Sequence, residues 1–314
     1  MENPIALVTS LTPDAENAWL AEIARLLPDE RLLPFQRMSA LERQDADIAI
    51  VANPDPAQVA ALPRLVWVHS LWAGVEKLVS ELGPSAPPIV RLVDPELARV
   101  MAEAVLAWTY YLHRDMPAYR TQQSDRVWKP RPYRHPSKLT VGILGLGALG
   151  TAAAGRLNEA GFEVVGWSRS PKAIPRIRCL HGEAGLDELL ETADIVVCLL
   201  PLTKDTRGLL HAERFGRMKA GASLVNFARG PIVVIEDLVQ ALATGPLCHA
   251  VLDVFDQEPL PHASSLWEHP RITVLPHISA PTDRESAARI VAANIRAYRS
   301  TGMLPQSVDT ESGY

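Results

Sequence analysis

Ten residues near the middle of the chain, VGILGLGALG (141–150), constrain the fold more than any others. They place Gly145, Gly147 and Gly150 in GxGxxG spacing, behind an apolar, β-branched run from 139 and ahead of an Ala-rich stretch to about 160. That context predicts a strand, a tight turn and a helix. Gly145 permits the turn, Gly147 lets the backbone approach a pyrophosphate, and Gly150 allows close helix–strand packing. With Leu146, Ala148 and Leu149 they complete a turn whose helix offers free N–H groups and a positive dipole end to phosphate. A glycine-rich turn with no ligand is the alternative reading of the same residues.

A strand–turn–helix of this kind has to sit in a larger sheet, and the flanking sequence supplies one on each side. Before the glycines, PIALVT (4–9), DIAIVA (47–52), LVWVH (65–69) and IVRLV (89–93) are short apolar runs suited to strands buried on both faces. A helical spacing of apolar residues over 14–27 lies between the first two, and 95–122 reads as one long helix. After the glycines, strands are predicted at 162–167, 194–200, 222–227, 248–253 and 272–276, with helices at 186–192, 211–218, 235–243 and 282–300. Strand–helix alternation on this scale predicts an α/β chain built on parallel sheets. The segment DRVWKPRPYRHPSK (125–138) interrupts it as an extended arm; its Lys and Arg residues suit either phosphate or a solvated arm packed on a partner subunit. The tail 302–314 is poor in apolar residues and is expected to be partly mobile.

Composition excludes several classes. With 31 Lys and Arg against 36 Asp and Glu, the formal charge of −5 opposes a nucleic-acid-binding surface. The 3 cysteines, Cys179, Cys198 and Cys248, are far apart, odd in number and without a CxxC pair, so neither a disulfide framework nor a metal site is expected and a reducing, cytoplasmic setting is. No apolar stretch is long enough to span a membrane, and MENPIALVTS lacks the basic start of a secretory leader.

The strand after the glycine turn bears on which dinucleotide would bind. A site for NAD commonly carries an acid there to hold the ribose 2′-hydroxyl. Here the strand runs into Trp167, Ser168, Arg169 and Ser170, with Lys172 beyond. An acid would repel a 2′-phosphate, whereas a guanidinium binds it with paired charge-assisted hydrogen bonds. The expectation is NADP(H) in preference to NAD(H); a solvated Arg169 is the structural alternative.

Five motifs follow in order: VGILGLGALG, PLTKDTRGLL (201–210), NFARGPIV (226–233), LDVFDQEPLP (252–261) and LPHISA (275–280). In this the chain resembles the D-isomer-specific 2-hydroxyacid dehydrogenases over nearly its whole length. WSRS (167–170) and VWKP (127–130) resemble the glyoxylate/hydroxypyruvate reductase A branch in particular. The resemblance implies two doubly wound parallel-sheet domains with the active site in a cleft between them. A Rossmann-type cofactor domain (101–284) would be inserted into a flavodoxin-like substrate domain (1–100 with 285–314). It implies a catalytic set of Arg229, Glu258 and His277, in which His277 is the general acid, Glu258 orients it, and Arg229 grips the substrate carboxylate and polarises the keto oxygen. Taken singly, each of the three also reads as a turn or loop residue. It implies cofactor contacts from Leu200, Pro201, Thr206, Phe227, Ala228 and Asp253, and substrate contacts from Trp72, Ala73 and Gly74 besides Arg229 and His277. Leu71 and Trp72 stand where the family often has small residues; facing the pocket, they would favour small 2-oxo acids. The resemblance also implies a homodimer built through the long helix and the arm. A dinucleotide-sensing, co-repressor-like protein without turnover is the rival reading.

Overall fold

A computed structural model describes residues 3–309. The chain divides into two compact units: one takes it to Glu96 and again from Thr282 onward, and the other is the continuous stretch Leu97–Pro281.

The first unit carries a parallel sheet of β1 (Ile5–Thr9), β2 (Leu32–Pro34), β3 (Ile48–Ala52), β4 (Trp67–Ser70) and β5 (Ile89–Val90), in the order β2-β1-β3-β4-β5. Its strands are apolar at successive positions because both faces are covered. Ile5, Leu7, Ile48, Ile50 and Trp67 face the helices Pro13–Leu26 and Arg284–Thr301, where Trp19, Ile23, Val291 and Ile295 complete the layer. Ala6, Val8, Ala49, Val51 and Val68 point the other way, onto Phe35, Met38, Val59 and Leu62. The edge strand β2 is absent from the sequence-based expectation: it is three residues long and ends in Pro34, which an edge strand tolerates because one side of it makes no ladder bonds.

The second unit carries β6 (Thr140–Leu144), β7 (Glu163–Ser168), β8 (Arg178–His181), β9 (Ile195–Cys198), β10 (Ser223–Asn226), β11 (His249–Leu252) and β12 (Ile272–Val274). All neighbours are parallel, and the order is β12-β11-β10-β9-β6-β7-β8. Strand order therefore reverses between β6 and β9, the switch point at which open α/β sheets bind ligands beyond their carboxyl ends. Val141, Ile143, Val197, Val225 and Val251 form one face with Met101, Val105, Ala153 and Leu157. Leu144, Val196, Leu224, Ala250 and Leu252 form the other with Leu186, Leu189, Leu190, Leu238 and Leu242. The polar edge strand β8, with sequence RCLH, shows no apolar run and escapes sequence reading.

One expectation is corrected. The predicted helix 95–122 is two helices, Pro95–His113 and Met116–Ser124, because Asp115 takes a left-handed conformation (φ 56°) and Pro117 sits in the first turn of the second. A proline there cannot donate to the carbonyl of His113 and its ring would collide with it, so the first helix ends. The tail is mostly exposed over 302–309, but Val308 is buried and its N–H donates to the Ile89 carbonyl at 2.7 Å, anchoring that point beside β5. Residues 310–314 of that tail lie outside the described residues. No helix among the described residues is long and apolar enough to cross a membrane.

Candidate active site

Strand register in the second unit brings distant parts of the sequence to one edge. Leu144 of β6 lies level with Trp167 of β7 and Cys198 of β9; Cys198 is level with Asn226, Asn226 with Leu252, and Leu252 with Val274. Five strand ends follow with the loops that matter: the glycine turn after β6, Arg169 after β7, residues 201–206 after β9, Arg229 after β10 and Glu258 after β11. His277 follows β12 at the same edge.

The glycine turn has the shape the motif requires. Gly145 has φ +105°, and a Cβ there would meet the Leu199 carbonyl at 2.9 Å. A Cβ on Gly150 would lie 1.7 Å from the Gly145 carbonyl oxygen, so the helix Ala148–Glu159 can start this close only on glycine. At Gly147 a Cβ would meet nothing within 4 Å, so this face of the turn is open. Gly147 is also the N-cap, with no side chain capping the helix, so the first-turn N–H groups are left to another acceptor.

Around this turn, several predicted cofactor residues contribute backbone and packing more than exposed side chains. Leu146, Leu200, Phe227 and Ala228 are buried. The buried Trp167 indole donates to the Gly182 carbonyl at 2.8 Å, bracing β7 against the next helix. Ser168 Oγ donates to the Ser170 carbonyl at 2.8 Å, shaping the tip that carries Arg169. Arg169 is exposed and lies 3.8 Å from the Asp205 carboxylate. Lys172 lines a shallow pocket with Ile174, Ile177 and Cys179. Thr206 turns its hydroxyl into its own loop: Oγ1 donates to the Pro201 carbonyl at 2.7 Å and accepts from Thr203 N–H at 2.8 Å.

At the other end of the row, Glu258 and His277 form a pair. Glu258 Oε2 lies 2.7 Å from His277 Nδ1, and Oε1 accepts the Phe255 N–H at 2.9 Å. A carboxylate only accepts, so Nδ1 carries a proton and Nε2 is the ring position free to gain or lose one. His277 has φ 55°, a left-handed conformation that costs a non-glycine residue of order 1–3 kcal/mol. Buried Asp253 holds it there. Its two oxygens accept the N–H groups of Ile278 and Ser279, each at 2.8 Å, fixing the chain just past His277.

Arg229 is set by its own turn. Its Nη1 donates to the Ala228 carbonyl at 2.6 Å, and a Cβ on Gly230 would come within 2.1 Å of the Phe255 carbonyl carbon, so this turn presses against the segment leading to Glu258. Asn226 ties the turn off: Nδ2 donates to the Arg229 carbonyl and Oδ1 accepts from Ala228 N–H. Asn226 is missing from the sequence-based set, although an Asn closing a strand two residues before such a turn is the available signal.

In the first unit, the loop after β4 is well held. Leu71 is fully buried in the core, which corrects the expectation that it could face a substrate pocket. Its N–H pairs with the Val51 carbonyl and extends the sheet by one residue, which turns its side chain inward. Trp72 stands edge-on to Trp19 at 6.1 Å, and its indole donates to Asn53 Oδ1 at 3.2 Å. The Trp72 N–H is taken by Ser70 Oγ, whereas those of Ala73 and Gly74 have no protein acceptor among the described residues.

Comparison with known proteins decides the family. Residues 106–279 match the model for "D-isomer specific 2-hydroxyacid dehydrogenase, NAD binding domain". The chain belongs to the D-isomer-specific 2-hydroxyacid dehydrogenase family. It is therefore an NAD(P)-dependent dehydrogenase. It is similar to glyoxylate/hydroxypyruvate reductase A of Serratia proteamaculans, with 36% identity over 94% of this chain and 96% of that protein. Among solved structures, a 2-hydroxyacid dehydrogenase of Xanthobacter autotrophicus in complex with NADPH and MES superposes with a TM-score of 0.93 at 34% identity, both chains fully covered. The NADPH-dependent glyoxylate/hydroxypyruvate reductase of Sinorhizobium meliloti, in complex with NADP and sulfate, gives 0.91 at 32%, again over the whole of both chains.

Proposed function

We propose that this chain reduces small 2-oxo acids, glyoxylate and hydroxypyruvate, to 2-hydroxy acids with NADPH. The observation that carries the reading is the level row of strand ends that sets the glycine turn, Arg169, Arg229 and the Glu258–His277 pair along one edge.

The residues fit a phosphorylated dinucleotide. The open face at Gly147 and the uncapped helix suit the pyrophosphate, and exposed Arg169, with no acid between 167 and 172, suits a 2′-phosphate. The NADPH and NADP in the similar structures support the same choice. Held by the glycine turn and Arg169, the reduced nicotinamide cofactor would supply the hydride for the carbonyl carbon. The chain's own residues do the rest. Arg229 pairs with the substrate carboxylate and polarises the keto oxygen, fixing the carbonyl for attack. Protonated His277 gives its Nε2 proton to that oxygen as the alkoxide forms. Glu258 holds the ring in place through Nδ1; the neutral ring left behind regains its proton from solvent.

The reading extends to a cytoplasmic homodimer. Trp128 is fully exposed on the 125–138 arm and Val127 and Tyr133 are also exposed, apolar surface suited to a second copy, and the three free cysteines suit a reducing compartment.

The test follows the loss of reduced-nicotinamide absorbance with glyoxylate or hydroxypyruvate, NADPH and NADH in parallel, for the native enzyme and Glu258→Gln. Rapid oxidation of NADPH over NADH, and a fall of ~10- to 100-fold in kcat for the variant, are expected. Tight NADPH binding without turnover on a panel of 2-oxo acids would overturn the reading in favour of a sensor.

A further inference from the structure

Arg169 does not stand in isolation. The loop after β9 brings the Asp205 carboxylate to 3.8 Å from its guanidinium, and both side chains are largely exposed. The placement is built into the loop: Thr206, the next residue, ties it to Pro201 and Thr203 through its hydroxyl. β7 and β9 flank β6 and end level with it, so Arg169 and Asp205 face one another across the mouth of the glycine turn. Sequence reading looks for an acid at the tip of β7 and finds none; the acid arrives from the loop after β9.

We propose that Asp205 is a specificity-determining residue of the cofactor site, one that weakens the preference for NADP(H) over NAD(H). This rests on the reading of Arg169 as the 2′-phosphate partner. Without a dinucleotide, Asp205 partly neutralises Arg169. A 2′-phosphate, with nearly two negative charges, has to take the guanidinium from this carboxylate and then lie beside it. A ribose 2′-hydroxyl faces neither cost. The carboxylate therefore acts against one dinucleotide and leaves the other nearly untouched. Exposed charge pairs of this kind change equilibria by small factors, and the doubly charged phosphate raises the effect, so removing the charge should tighten NADP+ binding about threefold to tenfold.

The experiment measures dissociation constants by calorimetry, without substrate, for NADP+, NAD+, adenosine 2′,5′-bisphosphate and 5′-AMP. The proteins are native, Asp205→Asn, Arg169→Ala and the double variant. Asp205→Asn keeps the shape of an exposed side chain, so the fold is retained, and its thermal unfolding midpoint serves as the control. Expected for Asp205→Asn is a threefold to tenfold tighter NADP+ and 2′,5′-bisphosphate, with NAD+ and 5′-AMP unchanged. The gain should shrink as salt rises, because exposed charges are screened, and should fall below twofold in the Arg169→Ala background. If Arg169→Ala weakens NADP+ while Asp205→Asn leaves it unchanged, or tightens NAD+ equally, the Asp205 proposal alone falls. If the native protein binds NADP+ no more tightly than NAD+ and Arg169→Ala changes neither, the cofactor reading falls with it.

Discussion

Asp253 offers the sharpest test of how the site is held. Its buried carboxylate accepts two N–H groups, from Ile278 and Ser279, at 2.8 Å each. In Asp253→Asn one oxygen remains to accept, while the new amide N–H2 faces the second N–H as donor against donor. A hydrogen bond to a charged acceptor is worth about 1.5–3 kcal/mol, and a buried donor left without a partner costs a similar amount. The loss should be about 2–3 kcal/mol. For a unit the size of Leu97–Pro281, this lowers the thermal midpoint by about 4–12 °C. The larger consequence is positional. The two bonds fix the chain next to His277, which holds a left-handed φ of 55°. When they loosen, His277 relaxes away from Glu258, and a displacement near 1 Å costs about 100-fold in rate. Calorimetric unfolding, steady-state kinetics and NADP+ affinity should be read together. The expected pattern is a lower midpoint, kcat down about 100-fold and an affinity changed less than about threefold. A large loss of affinity with kcat intact would make Asp253 a cofactor contact instead of a clamp on the His277 loop, and would refute this reasoning.

Two further outcomes concern the two sheets. His69 is fully buried, its Nδ1 donating to the Ser70 carbonyl and its Nε2 accepting from Asn294, and burial pulls its pKa down from the ordinary 6.5 to about 4. Below pH 6.5 the unfolded chain gains a proton that the folded chain refuses, so stability present above 6.5 is lost as pH falls toward 4, by about 3 kcal/mol from this group. His69→Gln should flatten that slope in denaturant titrations across the range, and an unchanged slope would contradict it. Gly150→Ala places a methyl 1.7 Å from the Gly145 carbonyl oxygen, so the turn must open; dinucleotide affinity should fall at least tenfold by calorimetry, and retention within twofold would show that the turn yields freely.

Much of the architecture was legible because it depends on local pattern. Short β-branched apolar runs such as IAIVA and TVGIL suit strands covered on both faces, and the glycine spacing fixes the turn beside them. What escaped lacks such a pattern: β8 is polar, β2 is short and ends in proline, and the break at Asp115 depends on a left-handed residue that periodicity does not register. At the site, resemblance supplied Arg229, Glu258 and His277, and the structure pairs the last two. Asn226 and Asp205 were missed because their importance comes from strand register and from a loop folding back, which no linear spacing encodes.

The interrupted connectivity of the first unit has a bearing on how the protein is made. Its sheet emerges from the ribosome with residues 5–90, but one face waits for the helix Arg284–Thr301, whose Ala287, Ala288, Val291, Ala292 and Ile295 are all fully buried. Ser286 bonds to Asp94 across 192 residues, His69 to Asn294 across 225, and Arg299 to Glu30 across 269. At about 5–20 residues per second, the gap from Asp94 to Ser286 takes about 10–40 s to translate. Through that interval Ile5, Leu7, Ile48 and Ile50 lack part of their cover, while the inserted Leu97–Pro281 unit can close as soon as its own last strand appears. Nascent chains stalled before residue 284 should therefore be the ones that chaperones hold.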